Sequence, residues 1–303
     1  MTIDAPTPGA EDAAFAPIKP HQKDLGGGFT VRRLLPAASR RAVGPFVFFD
    51  HFGPINAAPG DNHDVRPHPH IGLSTVTYLF EGAMMHRDST GVVQRIEPGA
   101  LNWMTAGRGI VHSERTPKDL LDRHRRTHGL QLWTALPAEH ERVAPSFQHA
   151  AVADIPERRD DGVTVRVLVG RAFDLESPIR TWSPTLLVDL GFERGSGAEI
   201  VVPDAADERA LYGPDEGFEL DGSYVPPQTL VPLAPGRTPV LASPRGGHVV
   251  LLGGASVGPR FMVWNFVASD RERIREAEAD WLAQRFDPVP GETEFIPLPE
   301  RRV

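Results

Sequence analysis

The apolar residues of this chain come in short bursts. Runs such as FTVRRLL, PFVFFDHF, LSTVTYLF, LQLWTAL, VTVRVLVG, PTLLVDLGF, HVVLLGG and RFMVWNFVA are rich in β-branched and aromatic residues, with Gly, Pro and Asp between them. Such side chains suit a pleated, half-buried surface, while Gly and Pro end regular structure. With 29 glycines and 30 prolines in 303 residues, turns are available throughout. Strands at this spacing, joined by turns such as Pro98-Gly99 and Gly246-Gly247, predict an all-β barrel or sandwich.

The length suits two domains of ~100–200 residues each. Residues 1–20, rich in Pro, Ala and acids, are expected to form a poorly ordered arm; residues 21–150 a first β-domain; and residues 151–303 a second. The boundary falls in the charged, Pro- and Ala-containing stretch 136–162. One helix is predicted over residues 270–285, where Ser269 and Glu272 read as a capping box and Ile274, Ala277, Trp281 and Leu282 recur on one face.

A net charge of −8, spread along the chain, gives no basic footprint for direct nucleic-acid binding. There are no cysteines, which excludes disulfides, thiolate metal sites and cysteine nucleophiles together, so any metal must use nitrogen and oxygen ligands. The N-terminus has no charged and apolar leader pattern, and no stretch approaches the ~18 apolar residues of a membrane span. A soluble, cytoplasmic protein without membrane contact is the expectation. No G-x-S-x-G hydrolase motif is present.

The histidines are unevenly placed, with only His248 beyond residue 149. His68 and His70 stand two apart around Pro69, and His112 and Glu114 stand two apart in GRGIVHSE. Chance alone gives about one half of a His-x-His pair in such a chain, so the first pair by itself says little. Residues two apart on a strand project from the same face, about 6.6–7 Å apart at Cα, so each pair can converge on one point. Pro69 holds His68 extended and removes a ladder donor, which predicts an edge or a bulge. Gly107 and Gly109 allow a tight turn before the second pair, and the 42 positions between His70 and His112 leave room for two hairpins. Spacing leaves two readings open: ligands of one divalent transition ion with free coordination positions, or ordinary loop histidines.

Taken together, FVFFDHFGP, HPHIGLSTVTYLFEG, HRDSTG, PGALNWMTAGRGIVHSE and LQLWTALP resemble the pirin family of the cupin superfamily, and the likeness continues weakly to PRFMVWNFVASDRERIREAEADW. The resemblance implies two tandem cupin β-barrels. It implies a single metal in the first barrel, held at His68, His70, His112 and Glu114, and none in the second. Fe(II) is the first choice, with Zn, Cu, Ni, Co or Mn as alternatives. It also implies one of two roles. The first is a quercetin 2,3-dioxygenase-like oxidoreductase that opens a flavonol ring with dioxygen, Glu114 serving as the catalytic base. The second is a non-enzymatic regulator that binds a protein partner in a metal-dependent way. Two positions depart from the family pattern: Ser74 replaces a usual glutamate and Ile71 a usual arginine, which is expected to alter the polarity around the pocket.

Other residues carry weaker signals. His86, Asp88 and Ser89 in MHRDSTG precede a Gly91 turn; Asp-Ser-Thr-Gly is ordinary turn chemistry, and His86 is a candidate to line or support the site. His51 and His63 read as surface or pocket-mouth residues. RTPKDLLDRHRRTH (115–128) reads as a solvated basic loop, and Trp103 and Met104 as core, with one of them able to wall an aromatic pocket.

Overall fold

A computed structural model describes residues 15–24 and 30–300. The arm expected over residues 1–20 lies outside the described residues up to residue 14. Beyond that, Ile18 is buried and exchanges backbone hydrogen bonds of 2.8 and 2.9 Å with Leu230.

The strands before residue 151 are β1 (His21–Asp24), β2 (Thr30–Leu35), β3 (Phe46–Ala57), β4 (Val65–His70), β5 (Leu73–Glu81), β6 (Met84–Asp88), β7 (Val93–Ile96), β8 (Leu101–Thr105), β9 (Ile110–Arg115), β10 (Arg125–Ala135) and β11 (Ser146–Ala150). They form a seven-stranded sheet in the order β1-β2-β3-β10-β5-β8-β11 and a four-stranded sheet in the order β4-β9-β6-β7. From Glu157 the chain builds a six-stranded sheet containing Val163–Val169, Thr185–Phe192, Glu208–Tyr212, Leu230–Leu233 and Gly247–Gly254, with a second four-stranded sheet. The protein is thus mostly β, two barrels in tandem, with an α-helix near the end of the chain.

The β5 sequence LSTVTYLFE is buried over its first seven residues because both faces of the strand are covered. On one face Val76 and Tyr78 join Phe49, Leu101, Trp103, Leu130 and Leu132, and this surface packs against Leu187, Ala210, Tyr212, Leu230, Val250 and Leu252 of the second barrel. Each buried Leu, Val or Phe there contributes about 1.5–3 kcal/mol. The two barrels therefore share one continuous core.

That seam also holds polar groups. The Tyr78 hydroxyl donates to Asp189 (2.7 Å), which His248 Nδ1 also contacts at 2.8 Å. Burial alone would raise the pKa of Asp189, but His248, Tyr78 and Arg166 together hold it below the usual carboxylate range. His51, expected at the surface or a pocket mouth, is instead wholly buried here, 2.6 Å from both the Tyr212 hydroxyl and His128 Nε2. The stretch 115–128 is likewise only partly a basic loop. Its last residues open β10, and His128 is 3 % exposed, because the strand starts at Arg125, ahead of the apolar run that begins at Leu130.

After the second barrel the chain returns to the first. Phe266 bridges Ile71 in parallel, Val267 N–H donates to the Ile71 carbonyl (3.2 Å), and Ile296 N–H donates to the Pro67 carbonyl (2.8 Å). The helix Arg271–Leu282 lies between these contacts, with Ile274, Ala277 and Trp281 packed on Ile71 and Val111. Residues 261–298, read from sequence as part of a domain 151–303, thus cover the first barrel. Two helix details differ from expectation. Asp270 is the cap, accepting from Glu272 N–H at 2.9 Å, while Ser269 donates to Glu141. Leu282 is 69 % exposed, because one residue beyond the buried Trp281 turns it about 100° around the helix, away from the barrel.

Candidate metal centre

β4 is the edge strand of the four-stranded sheet, and its pairing with β9 slips between Val65 and His68. This is the irregularity that Pro69 and Pro67 impose by lacking N–H donors. After the slip His68 stands directly opposite His112, and Asp88 of β6 stands opposite His112 on the other side. Cross-strand partners share a face, so the register alone aims His68, His70 and His112 into the first barrel. The turn that follows β4 depends on Gly72 (φ 66°), where a Cβ would sit 2.0 Å from the Val267 carbonyl. Only glycine permits both the left-handed backbone and that approach.

One ring nitrogen from each of His68, His70 and His112 lies within 4.8 Å of the others, and all three side chains are buried. His70 Nε2 and His112 Nε2 are 3.1 Å apart. Metal–imidazole bonds of ~2.0–2.1 Å place two neighbouring ligand nitrogens about 3.0 Å apart at a right angle and about 3.4 Å apart in a tetrahedron. The observed spacing fits one ion. His68 Nδ1 meets the Arg66 carbonyl at 2.9 Å and His70 Nδ1 the Asn265 carbonyl at 3.1 Å. A carbonyl only accepts, so both Nδ1 atoms carry the proton and both Nε2 lone pairs face the ion site. Burial holds all three rings neutral. It lowers His68 to about 4 against the partial opposition of the Arg66 carbonyl, and it takes His70 and His112, each beside other histidines, well below the usual histidine value. Protons therefore do not compete for these lone pairs near neutral pH. The donor set fits a divalent transition ion.

Glu114 stands on β9 two residues beyond His112, on the same face and opposite His86. It is not within the 4.8 Å set. Its residue reaches solvent in part, yet burial pushes its carboxyl up to about 7.

The inner face of the large sheet closes the site. In register across five strands run Phe48, Trp133, Thr75, Met104 and Phe147. Trp133 stacks on Phe48 (3.9 Å) and meets the His70 ring edge-on (5.1 Å), and Phe147 stacks on His86 (4.4 Å). One step along the same strands is a polar row of Asp50, Gln131, Thr77, Asn102 and His149. Met104 is thus in the wall, whereas Trp103 alternates to the seam. Ser74 alternates there too, paired with Thr105 (3.0 Å), and Ile71 is buried beneath the C-terminal segment. The two positions that depart from the family pattern therefore face away from the aromatic wall, and the expected change of polarity falls in the seam and under the helix. The support given by the Arg66 and Asn265 carbonyls left no trace in the letters, because any residue offers a carbonyl.

With fold and site in place, comparison with known proteins is decisive. The family profile described as Pirin matches residues 28–134, and the Pirin C-terminal cupin domain matches residues 187–287. The chain belongs to the pirin family. A pirin-like protein of Caulobacter vibrioides is 46 % identical over 283 residues, covering 92 % of this chain and 97 % of its own. A solved quercetin 2,3-dioxygenase from Acinetobacter baumannii is 32 % identical with a TM-score of 0.85, covering 95 % of this chain and 96 % of its own. A bacterial pirin from Escherichia coli, solved with nickel(II), shares the fold at 16 % identity and a TM-score of 0.61, covering 80 % of this chain and 99 % of its own. Among the described residues of this pirin-family chain, no helix is long and apolar enough to cross a membrane.

Proposed function

We propose that this protein is a metal-dependent dioxygenase that opens a flavonol-type ring with dioxygen, using Fe(II). His68, His70 and His112 would hold the ion, with Glu114 completing the set or standing beside it. The observation that carries the reading is the juxtaposition of three buried, neutral imidazoles with the Phe48–Trp133–Met104–Phe147 wall. A bound ion would supply Lewis acidity toward a vicinal oxygen pair and the redox chemistry that dioxygen requires.

The protein's own groups do the rest. The aromatic wall would orient a flat substrate and exclude water from it. The polar row beyond would pair with hydroxyl groups further along the same molecule. Glu114 would accept the acidic substrate hydroxyl proton on a carboxylate oxygen, which a carboxylate does when within hydrogen-bond reach. The relative named as a quercetin 2,3-dioxygenase supports this choice of substrate class.

The test is to load the protein with Fe(II) anaerobically, add a flavonol and then admit air. Oxygen uptake with a ring-opened product is expected. Metal bound without any uptake would reject the catalytic reading and leave a metal-dependent partner-binding role, to be checked by pull-down with and without chelator.

A further inference from the structure

The HRDSTG turn has an unusual division of labour. Asp88 is fully buried, and its two oxygens face different partners. Oδ1 accepts from Thr90 N–H (2.9 Å), from the Thr90 hydroxyl (2.6 Å) and from Val92 N–H (3.3 Å), so this oxygen serves the turn. Oδ2 instead points at His86 Nε2, 2.9 Å away. His86 in turn places its Nδ1 3.4 Å from Nδ1 of His112. A carboxylate, a free histidine and a metal-site histidine thus form one line.

We infer that Asp88 and His86 are positioning residues that fix the tautomer of His112. An ionised carboxylate only accepts, so His86 must carry its proton on Nε2. With one proton on its ring, His86 then offers a lone pair at Nδ1, placed to accept from His112 Nδ1–H. His112 is left with its Nε2 lone pair toward the ion site, matching the assignments that the Arg66 and Asn265 carbonyls give His68 and His70.

The opposite arrangement has an obvious attraction without metal. His112 would donate from Nε2 to His70 Nε2 at 3.1 Å. It would, however, either turn a His86 lone pair onto the Asp88 carboxylate at 2.9 Å, or, with His86 Nε2–H kept on Asp88, forfeit the His112–His86 hydrogen bond and set their two Nδ1 lone pairs against each other at 3.4 Å. The other three donors on Asp88, together with His86, offset its burial and keep it ionised. The carboxylate thus makes His86 Nδ1 an acceptor for His112 Nδ1–H, the arrangement that leaves the His112 Nε2 lone pair for a cation. This rests on the metal-site reading above and extends it to residues outside the ligand set.

Asp88→Asn makes a sharp test. The amide oxygen will take the Oδ1 position, where three donors converge, so the amide NH2 must face His86 Nε2. That reverses the line: His86 becomes a donor at Nδ1, and His112 turns an N–H toward the ion. At pH 8, long-range 15N–1H spectra of the metal-free protein should show His112 protonated at Nδ1 in the parent and at Nε2 in Asp88→Asn. Nickel(II) affinity, measured by competition with a chromophoric chelator, should fall 10- to 100-fold. Thr90→Val, which removes a turn hydroxyl from the other oxygen, should leave the His112 tautomer unchanged. If Asp88→Asn does not fold, His86→Phe keeps a ring against Phe147 and should show the same loss of affinity.

An unchanged His112 tautomer in Asp88→Asn, or nickel affinity within twofold of the parent, would overturn the inference. A parent protein that shows the expected tautomers yet binds no nickel would support the positioning role and reject the metal-site reading instead.

Discussion

Acid should unfold this protein far sooner than its overall charge suggests, and the buried imidazoles set the size of the effect. His51 is lowered to about 2, by burial first and then by Arg32 and His128, and His68 is lowered to about 4. In the unfolded chain each would titrate near 6.5. When a histidine's folded pKa lies below its unfolded one, the unfolded state takes up protons first, so stability falls as pH drops below ~6.5 and continues to fall down to the folded pKa. Between pH 7 and 5, linkage gives a loss of about 2 kcal/mol for each such residue. His51 and His68 together therefore cost about 4 kcal/mol, His70 and His112 add to the loss in the same direction, and Glu114, raised to about 7, offsets about 2 kcal/mol of it, against the 5–15 kcal/mol of a typical domain. His248, raised by Asp189 against its burial, offsets only a small part of this, because its stabilisation is complete below ~6.5 and declines as pH rises above that. Urea unfolding followed by tryptophan fluorescence, in chelator at pH 7, 6 and 5, should show the midpoint collapsing over this range. His51→Phe should remove about 2 kcal/mol of the pH dependence. A midpoint that stays constant from pH 7 to 5, or a variant with the parent's pH dependence, would show that these rings are not held neutral by burial.

Three further outcomes follow from the geometry. His70→Ala should abolish stoichiometric metal in elemental analysis of untagged protein while the far-ultraviolet circular dichroism stays that of the parent, since the barrels are held by apolar burial. Trp281→Ala, at a residue 4 % exposed whose ring N–H donates to the Ile296 carbonyl, should cost about 3–5 kcal/mol and open residues 261–298 to limited proteolysis. Tyr78→Phe removes one of the donors that keep Asp189 ionised across the seam, and should cost about 1–3 kcal/mol in urea unfolding.

The strands were legible because Gly, Pro and Asp punctuate runs of β-branched and aromatic residues, and the common face of His68 and His70 was legible from their two-residue spacing, whereas the register that sets His68 opposite His112 was not. What escaped is what depends on long-range packing. His51 gave no sign of burial, since its cover comes from distant strands, Tyr212 of the second barrel 161 positions away and His128 of the first 77 positions away. Ser269 looked like a cap because its spacing to Glu272 is correct, but Glu141 competes for its hydroxyl and Asp270 takes the role. Asp88 read as a turn residue because one of its oxygens is exactly that in function, and the letters say nothing of the other. Residue 74 drew attention by its departure from the family pattern, yet strand alternation turns it toward the seam.

The carbonyl that orients His70 belongs to Asn265, 195 positions further along the chain. During synthesis the first barrel emerges well before that acceptor does, so the hydrogen bond that orients His70 forms only after residue 265 is available. A product terminated after the second barrel would lack both the acceptor for His70 and the cover over Ile71.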